Sequence, residues 1–225
     1  MTPLEVVLNA IENVNVLDKS INYNQYIPLD LSLSNNSFLS ENLKTASDFE
    51  KYLNKLLLKS KSQVAFGGYN EQRNLYKRST VFNDTDNEER NIHIGLDLWI
   101  NAGTSVLAAL DGTIHSFNFN TELGNYGPTI ILKHTINSID FYTLYGHLSL
   151  HSIENISIGD FYTKGQELAT LGDSSVNGDY APHLHFQIIN DIEHFKGDYP
   201  GVCSISNLDF YLNNCPDPNL LLKII

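Results

Sequence analysis

The 225-residue sequence predicts a mainly β protein that carries an N-terminal α-helical segment, α+β overall, with the division near residue 64. Three observations lead there. Apolar residues fall at helical spacing in Leu4, Val7, Leu8 and Ile11, and again in Phe49, Leu53, Leu56 and Leu57. From Val64 onward, strand-like runs at Thr129 to Lys133, Asp140 to Tyr145 and His183 to Ile189 alternate with Gly, Asn and Asp turns. Two later segments, GTSVLAALDGTI (Gly103 to Ile114) and GDFYTKGQELATLG (Gly159 to Gly172), share a glycine-led turn, a short apolar strand and a second glycine turn, which predicts a duplicated hairpin within an antiparallel sheet.

Taken in order, the accessory segment 1–63 holds two helices separated by an Asn-, Ser- and Leu-rich stretch. Ser47 followed three residues later by Glu50 reads as a capping box at the start of the second helix. Met1 to Ser62 contains neither His nor Cys, so it is expected to act as a structural cap and to supply no metal ligand. Residues 64–225 form the body, and the whole chain has enough apolar residues, 42%, for one sizeable core.

Composition narrows the partners. Lys and Arg number 14 against 26 Asp and Glu, a formal charge of -12, so no basic stripe is available for nucleic acid or anionic lipid. No run of about 18 apolar residues predicts a membrane span. Met1 to Val16 has no Lys or Arg and is broken by Glu5, Asn9, Glu12 and Asn13, which does not read as a secretory signal. The expectation from the sequence as it stands is therefore a cytoplasmic protein, with export the alternative if a leader precedes the given sequence. Cys203 and Cys215 are too few for a disulfide framework and are expected as reduced thiols.

The chemistry lies in the histidines. His93-Ile94-Gly95-Leu96-Asp97 places an imidazole and a carboxylate four residues apart, on one face of an extended run. A straight strand would hold their Cα atoms roughly 13 Å apart, so joint coordination needs a bend, which Gly95 permits. His183-Leu184-His185 projects two imidazoles to one side of a strand, where one can ligate while the other works beside the metal. A fifth group, His147, follows an apolar strand in Tyr145-Gly146-His147-Leu148. Two His and one Asp make a hydrolytic zinc set, leaving a fourth tetrahedral position open, whereas Mg or Ca would call for more oxygens.

In this order, HIGLD, GTSVLAALDGTI, LYGHLS, GDFYTKGQELATLG and PHLHFQ, spanning about Asn91 to Asn190, resemble the lysostaphin-type zinc metalloendopeptidases, which cut peptides of bacterial cell walls. The resemblance implies an open groove on a duplicated-hairpin sheet, one zinc per chain held by His93, Asp97 and His185, and His147 and His183 as non-ligand groups that activate water or stabilise the oxyanion. It implies a peptide or peptidoglycan-fragment substrate. The stretch Gly172 to Pro182, usually small and Ser-, Gly- and Thr-rich in the family, is bulkier and more acidic here, which bears on substrate choice.

Outside the motifs, Gly67-Gly68-Tyr69-Asn70-Glu71-Gln72-Arg73 reads equally as a surface hairpin with an exposed Arg or as a groove wall in which Arg73 meets a peptide carboxylate and Tyr69 donates a hydrogen bond, with Tyr145 a further substrate contact. Trp99 and the remaining histidines, His115, His134, His151 and His194, are expected to serve packing or the surface. Two other classes compete: a peptide- or wall-fragment-binding module of the same fold without hydrolysis, and a phosphocarrier of related architecture. The retained ligand set favours the peptidase over both.

Overall fold

A computed structural model describes residues 1–39, 41, 43–74 and 88–224. Helix α1 (Pro3–Ala10) begins at Thr2, whose side chain accepts the Glu5 N–H while Glu5 accepts from the Thr2 N–H. Pro3 sits in the first turn, where a missing N–H costs nothing. A short helix α2 (Asn36–Leu39) precedes α3 (Ala46–Ser60). The α3 capping box is Thr45 with Asp48, not Ser47 with Glu50. Starting there brings Ala46, Phe49 and Leu53 onto one buried face, so packing selects between two competing cap signals.

The accessory segment also contains a strand that helical spacing did not reveal. Strand β1 (Tyr26–Pro28) pairs in parallel with β2 (Val64–Gly67), at the edge of the main sheet, where Pro28 forfeits no interior ladder bond. Beyond it lie β3 (Glu71–Gln72), β4 (Ile92–His93), β5 (Leu96–Trp99), β6 (Ser105–Leu107), β7 (Gly112–Asn120), β8 (Gly127–Ile136) and β9 (Ile139–Gly146). They are followed by β10 (Phe161–Tyr162), β11 (Glu167–Thr170), β12 (His183–Ile189), β13 (Val202–Cys203), α4 (Leu208–Asn214) and α5 (Asn219–Leu222).

Among the described residues, the eight strands of the large, open sheet run β1-β2-β5-β12-β9-β8-β7-β10, antiparallel except for the β1–β2 pair. The three expected runs fall within β8, β9 and β12. The two glycine-bounded segments clasp each other crosswise: β6 of the first pairs with β11 of the second, and β7 of the first with β10 of the second.

Strand β12 is buried along its whole length because β5 and β9 flank it and both faces are covered. One face contributes Leu184, Phe186 and Ile188 to a core with Leu98, Ile130, Phe141 and Tyr145, and Leu4, Leu8 and Val16 close it from the N-terminal segment. A separate cluster joins Leu29, Leu31, Phe38, Phe49 and Leu53 to Ala65, Trp99 and Ala181, so the accessory segment packs beside the start of β12. Cys203 and Cys215 are buried free thiols, and burial pushes both up, to about 11 and about 12. No described helix is long and apolar enough to cross a membrane.

Candidate metal centre

The bend expected at Gly95 is a change of sheet. Strand β4 belongs to a three-stranded sheet with β3 and β13, and the chain crosses at Ile94-Gly95 into β5 of the large sheet. Asp97 on β5 stands directly opposite His185 on β12. The bend then swings His93 against both. One ligand atom from each of His93, Asp97 and His185 lies within 4.8 Å of the other two, and all three residues are buried. Gly95 is needed for close approach: a Cβ there would fall 2.3 Å from His185 Cε1 and 2.5 Å from Nε2.

Hydrogen bonds made outside the cluster decide which atoms face inward. His93 Nδ1 donates to the Gly68 carbonyl at 2.9 Å, which leaves Nε2 with its lone pair. The Gln187 side chain is oriented by its own N–H bonds to the Pro200 carbonyl (3.1 Å) and Cys215 Sγ (3.3 Å). Its Oε1 therefore accepts from His185 Nε2 at 2.9 Å, and His185 Nδ1 carries the lone pair. Asp97 Oδ2 accepts from Arg73 Nη1 at 2.6 Å, which leaves Oδ1 facing the two imidazoles.

The three inward atoms are separated by 2.9 Å (His93 Nε2 to His185 Nδ1), 3.1 Å (His185 Nδ1 to Asp97 Oδ1) and 3.3 Å (His93 Nε2 to Asp97 Oδ1). A tetrahedral ion with bonds of about 2.0–2.1 Å spaces its ligand atoms by roughly 3.3 Å. With the outer nitrogens of both rings protonated, lone pairs converge on one point, an arrangement that repels unless a cation occupies it. The residues fit zinc, and the orientation of each ring by a partner behind it is the pattern that tunes such sites.

Charge supports the same fit. Burial, with the Arg73 cation, lowers His93 to about 4, so this imidazole is neutral near pH 7 and able to ligate. Burial pushes the Asp97 carboxyl up, yet the group is held well below the usual carboxylate range, with the Arg73 guanidinium as the cation beside it at 2.6 Å.

His147 and His183 stand beside this cluster with their ring centroids 4.1 Å apart. His147 follows β9 in a left-handed conformation, φ 63°, uncommon for a non-glycine residue and held by its N–H bond to the Tyr126 carbonyl. Its Nδ1 donates to the Asn177 carbonyl at 2.8 Å, and His183 Nδ1 donates to the Ala181 carbonyl at 2.8 Å. Both present Nε2 as an acceptor, and that of His183 lies 3.9 Å from Asp97 Oδ1. Burial lowers both imidazoles, that of His147 well below the ordinary value with help from His183 and His185. Neutral bases are the result.

All five groups open onto a groove of about 580 Å³. Arg73 lines it as expected, but its guanidinium is committed to Asp97 and Glu71, so the substrate-carboxylate role is not what the geometry supports. Tyr69 and Tyr145 are not among the lining residues. The Tyr69 hydroxyl donates to the Cys215 carbonyl, and Tyr145 is buried in the core with its hydroxyl accepting the Ala109 N–H. Lining residues that sequence reasoning passed over include Tyr126, Tyr180, Phe38 and Phe49, which come from loops and from the accessory segment and carry no motif. The bulky Gly172–Pro182 stretch supplies Tyr180 to this lining and the Asn177 carbonyl to His147. Trp99 packs as expected, and its ring also stacks on His183.

Comparison with known proteins finds several similar chains. An uncharacterized metalloprotease of Haemophilus influenzae is 30% identical over 95 residues, 42% of this chain and 18% of that protein. The peptidoglycan DD-endopeptidase ShyC of Vibrio cholerae is 32% identical over 98 residues (43% and 20%), and lysostaphin of Staphylococcus staphylolyticus is 33% identical over 96 (43% and 18%). The matched region thus spans a fifth or less of the length of these relatives. Among solved structures, the lysostaphin catalytic domain of Staphylococcus simulans is 29% identical, covering 54% of this chain and 80% of that one, with a TM-score of 0.38. The model of peptidase family M23 matches residues 91–196, the stretch that carries His93, Asp97, His147, His183 and His185.

Proposed function

We propose that this protein is a zinc-dependent endopeptidase acting on peptides of the bacterial cell wall or their fragments, with His93, Asp97 and His185 as ligands. The observation that carries the reading is the convergence of three lone-pair atoms, each aimed by a hydrogen bond from behind. The wall-peptide substrate rests on the family and on the named activity of ShyC. When bound, zinc supplies Lewis-acid polarisation of the scissile carbonyl and of the attacking water.

The chain's own residues do the rest. His147 and His183, neutral and with Nδ1 tied to backbone carbonyls, offer Nε2 to take a proton from the water. The resulting imidazolium then donates to the developing oxyanion or to the leaving amine. Burial among Trp99, Tyr126 and Tyr180 keeps bulk water from these rings.

The test combines metal analysis of protein purified without chelator with digestion of purified wall peptides, read by mass spectrometry. One zinc per chain and new peptide termini are expected. Protein without metal, or zinc-loaded protein that leaves every wall peptide intact, would defeat the reading.

A further inference from the structure

The Asp97 carboxylate does not reach the metal centre unaided. Its outer oxygen, Oδ2, is held by Arg73 Nη1 at 2.6 Å, and both side chains are buried. Arg73 Nε in turn donates to Glu71 Oε2 at 2.5 Å, and Glu71 Oε1 accepts the backbone N–H of Leu31 at 3.0 Å. The series therefore runs from the accessory segment through Glu71 and Arg73 to a metal-ligand candidate. The backbone stitches the same two regions together: Leu29 N–H bonds to the Phe66 carbonyl at 2.8 Å and Leu33 N–H to the Gln72 carbonyl at 3.0 Å. Arg73 is steadied at its own backbone by the Asn91 carbonyl (2.9 Å) and over the Trp99 ring at 5.7 Å.

We infer that Arg73 is a positioning residue for the metal centre, which holds Asp97 as a one-oxygen ligand and is itself held by Glu71, which the Leu31 N–H of the accessory segment anchors. The inference rests on the zinc reading above. A guanidinium has donors that diverge in one plane, so Arg73 can bond Glu71 through Nε and Asp97 through Nη1 at once. A lysine ammonium in the same space supplies the charge but not the fork. With Oδ2 occupied, the carboxylate cannot rotate to offer both oxygens or swing from the two imidazoles, and its negative charge stays compensated before any metal arrives.

The experiment measures zinc affinity by competition with a chelator of known strength, on the full chain, for the parent, Arg73→Lys, Arg73→Met and Glu71→Gln. Circular dichroism checks folding. Loss of a group that orients a ligand weakens metal binding about 10- to 100-fold. That loss is expected for Arg73→Met, with smaller losses for Arg73→Lys and Glu71→Gln, and with a reduced rise in Tm on adding zinc for each. Folded Arg73→Met that binds zinc as tightly as the parent overturns the inference. If that variant does not fold, Arg73→Lys decides by the same criterion. A parent that binds no zinc refutes the underlying metal reading instead, so the two failures are distinguishable.

Discussion

At the residue scale, each histidine near the candidate metal centre has one nitrogen assigned by a partner, and where its other nitrogen lies separates candidate ligands from candidate bases. His183 Nδ1 is tied to the Ala181 carbonyl, and its other nitrogen lies outside the three-atom cluster. His183→Ala is therefore expected to leave zinc stoichiometry unchanged while lowering peptide hydrolysis by roughly two to four orders of magnitude. Parallel metal analysis and turnover measurements check this, and parental activity in the variant would remove His183 from the chemistry. Protonation gives a second prediction. His93 and the remote His134, which donates to the Asp111 carbonyl and accepts from Thr143, both lie at about 4 against an ordinary 6.5, chiefly through burial. Between these values the unfolded chain binds more protons than the folded one, so stability rises with pH. The contribution is complete above about 6.5 and is lost as pH falls toward about 4. Melting in the presence of chelator should show Tm falling across this window, and a flat profile would contradict the burial of both rings.

At the element scale, the decisive feature is the passage from β4 to β5. Two short strands in different sheets let residues four apart in sequence meet at one point, which a continuous strand forbids. Gly95 makes that passage possible by leaving room for the His185 ring. In Gly95→Ala, the new methyl must push His185 out of line or move β5 against β12. The expected outcome is destabilisation by about 1–3 kcal/mol with a loss of zinc affinity. Denaturant unfolding with metal titration tests it, and a variant matching the parent in both would show that β4 and β12 have slack that the packing does not suggest. The cap of α3 makes the complementary point about local signals. Ser47 with Glu50 and Thr45 with Asp48 both satisfy the capping pattern, and only the burial of Ala46 and Phe49 selects the second.

At the scale of the whole molecule, the accessory segment is part of the fold and part of the groove. It contributes β1 to the large sheet, Leu4 and Leu8 to the main core, and Phe38 and Phe49 to the groove wall. Deleting residues 1–62 removes β1, uncovers Ala65 and Trp99 and takes away the Leu31 bond to Glu71. A less soluble protein with a lower Tm is expected. A truncated protein that remains equally stable and turns over substrate much faster would identify the segment as an inhibitor instead of a cap.

The sequence by itself determined the β body, the strands at β8, β9 and β12, and the five-residue constellation on residues 91–196. Those features are written in local patterns: alternation, glycine turns, and metal-binding side chains at short spacings. Tertiary structure decided the rest. Nothing local to Tyr26 announces a strand, because its partner Val64 lies beyond two helices. Nothing local to Arg73 tells whether its guanidinium meets a substrate carboxylate or Asp97, and Tyr69 and Tyr145 looked equally available until packing committed their hydroxyls elsewhere. The reason is physical. A side chain's chemical type is fixed by the sequence, but its hydrogen-bond partner is whichever group long-range packing buries beside it, and a buried polar group must take that partner.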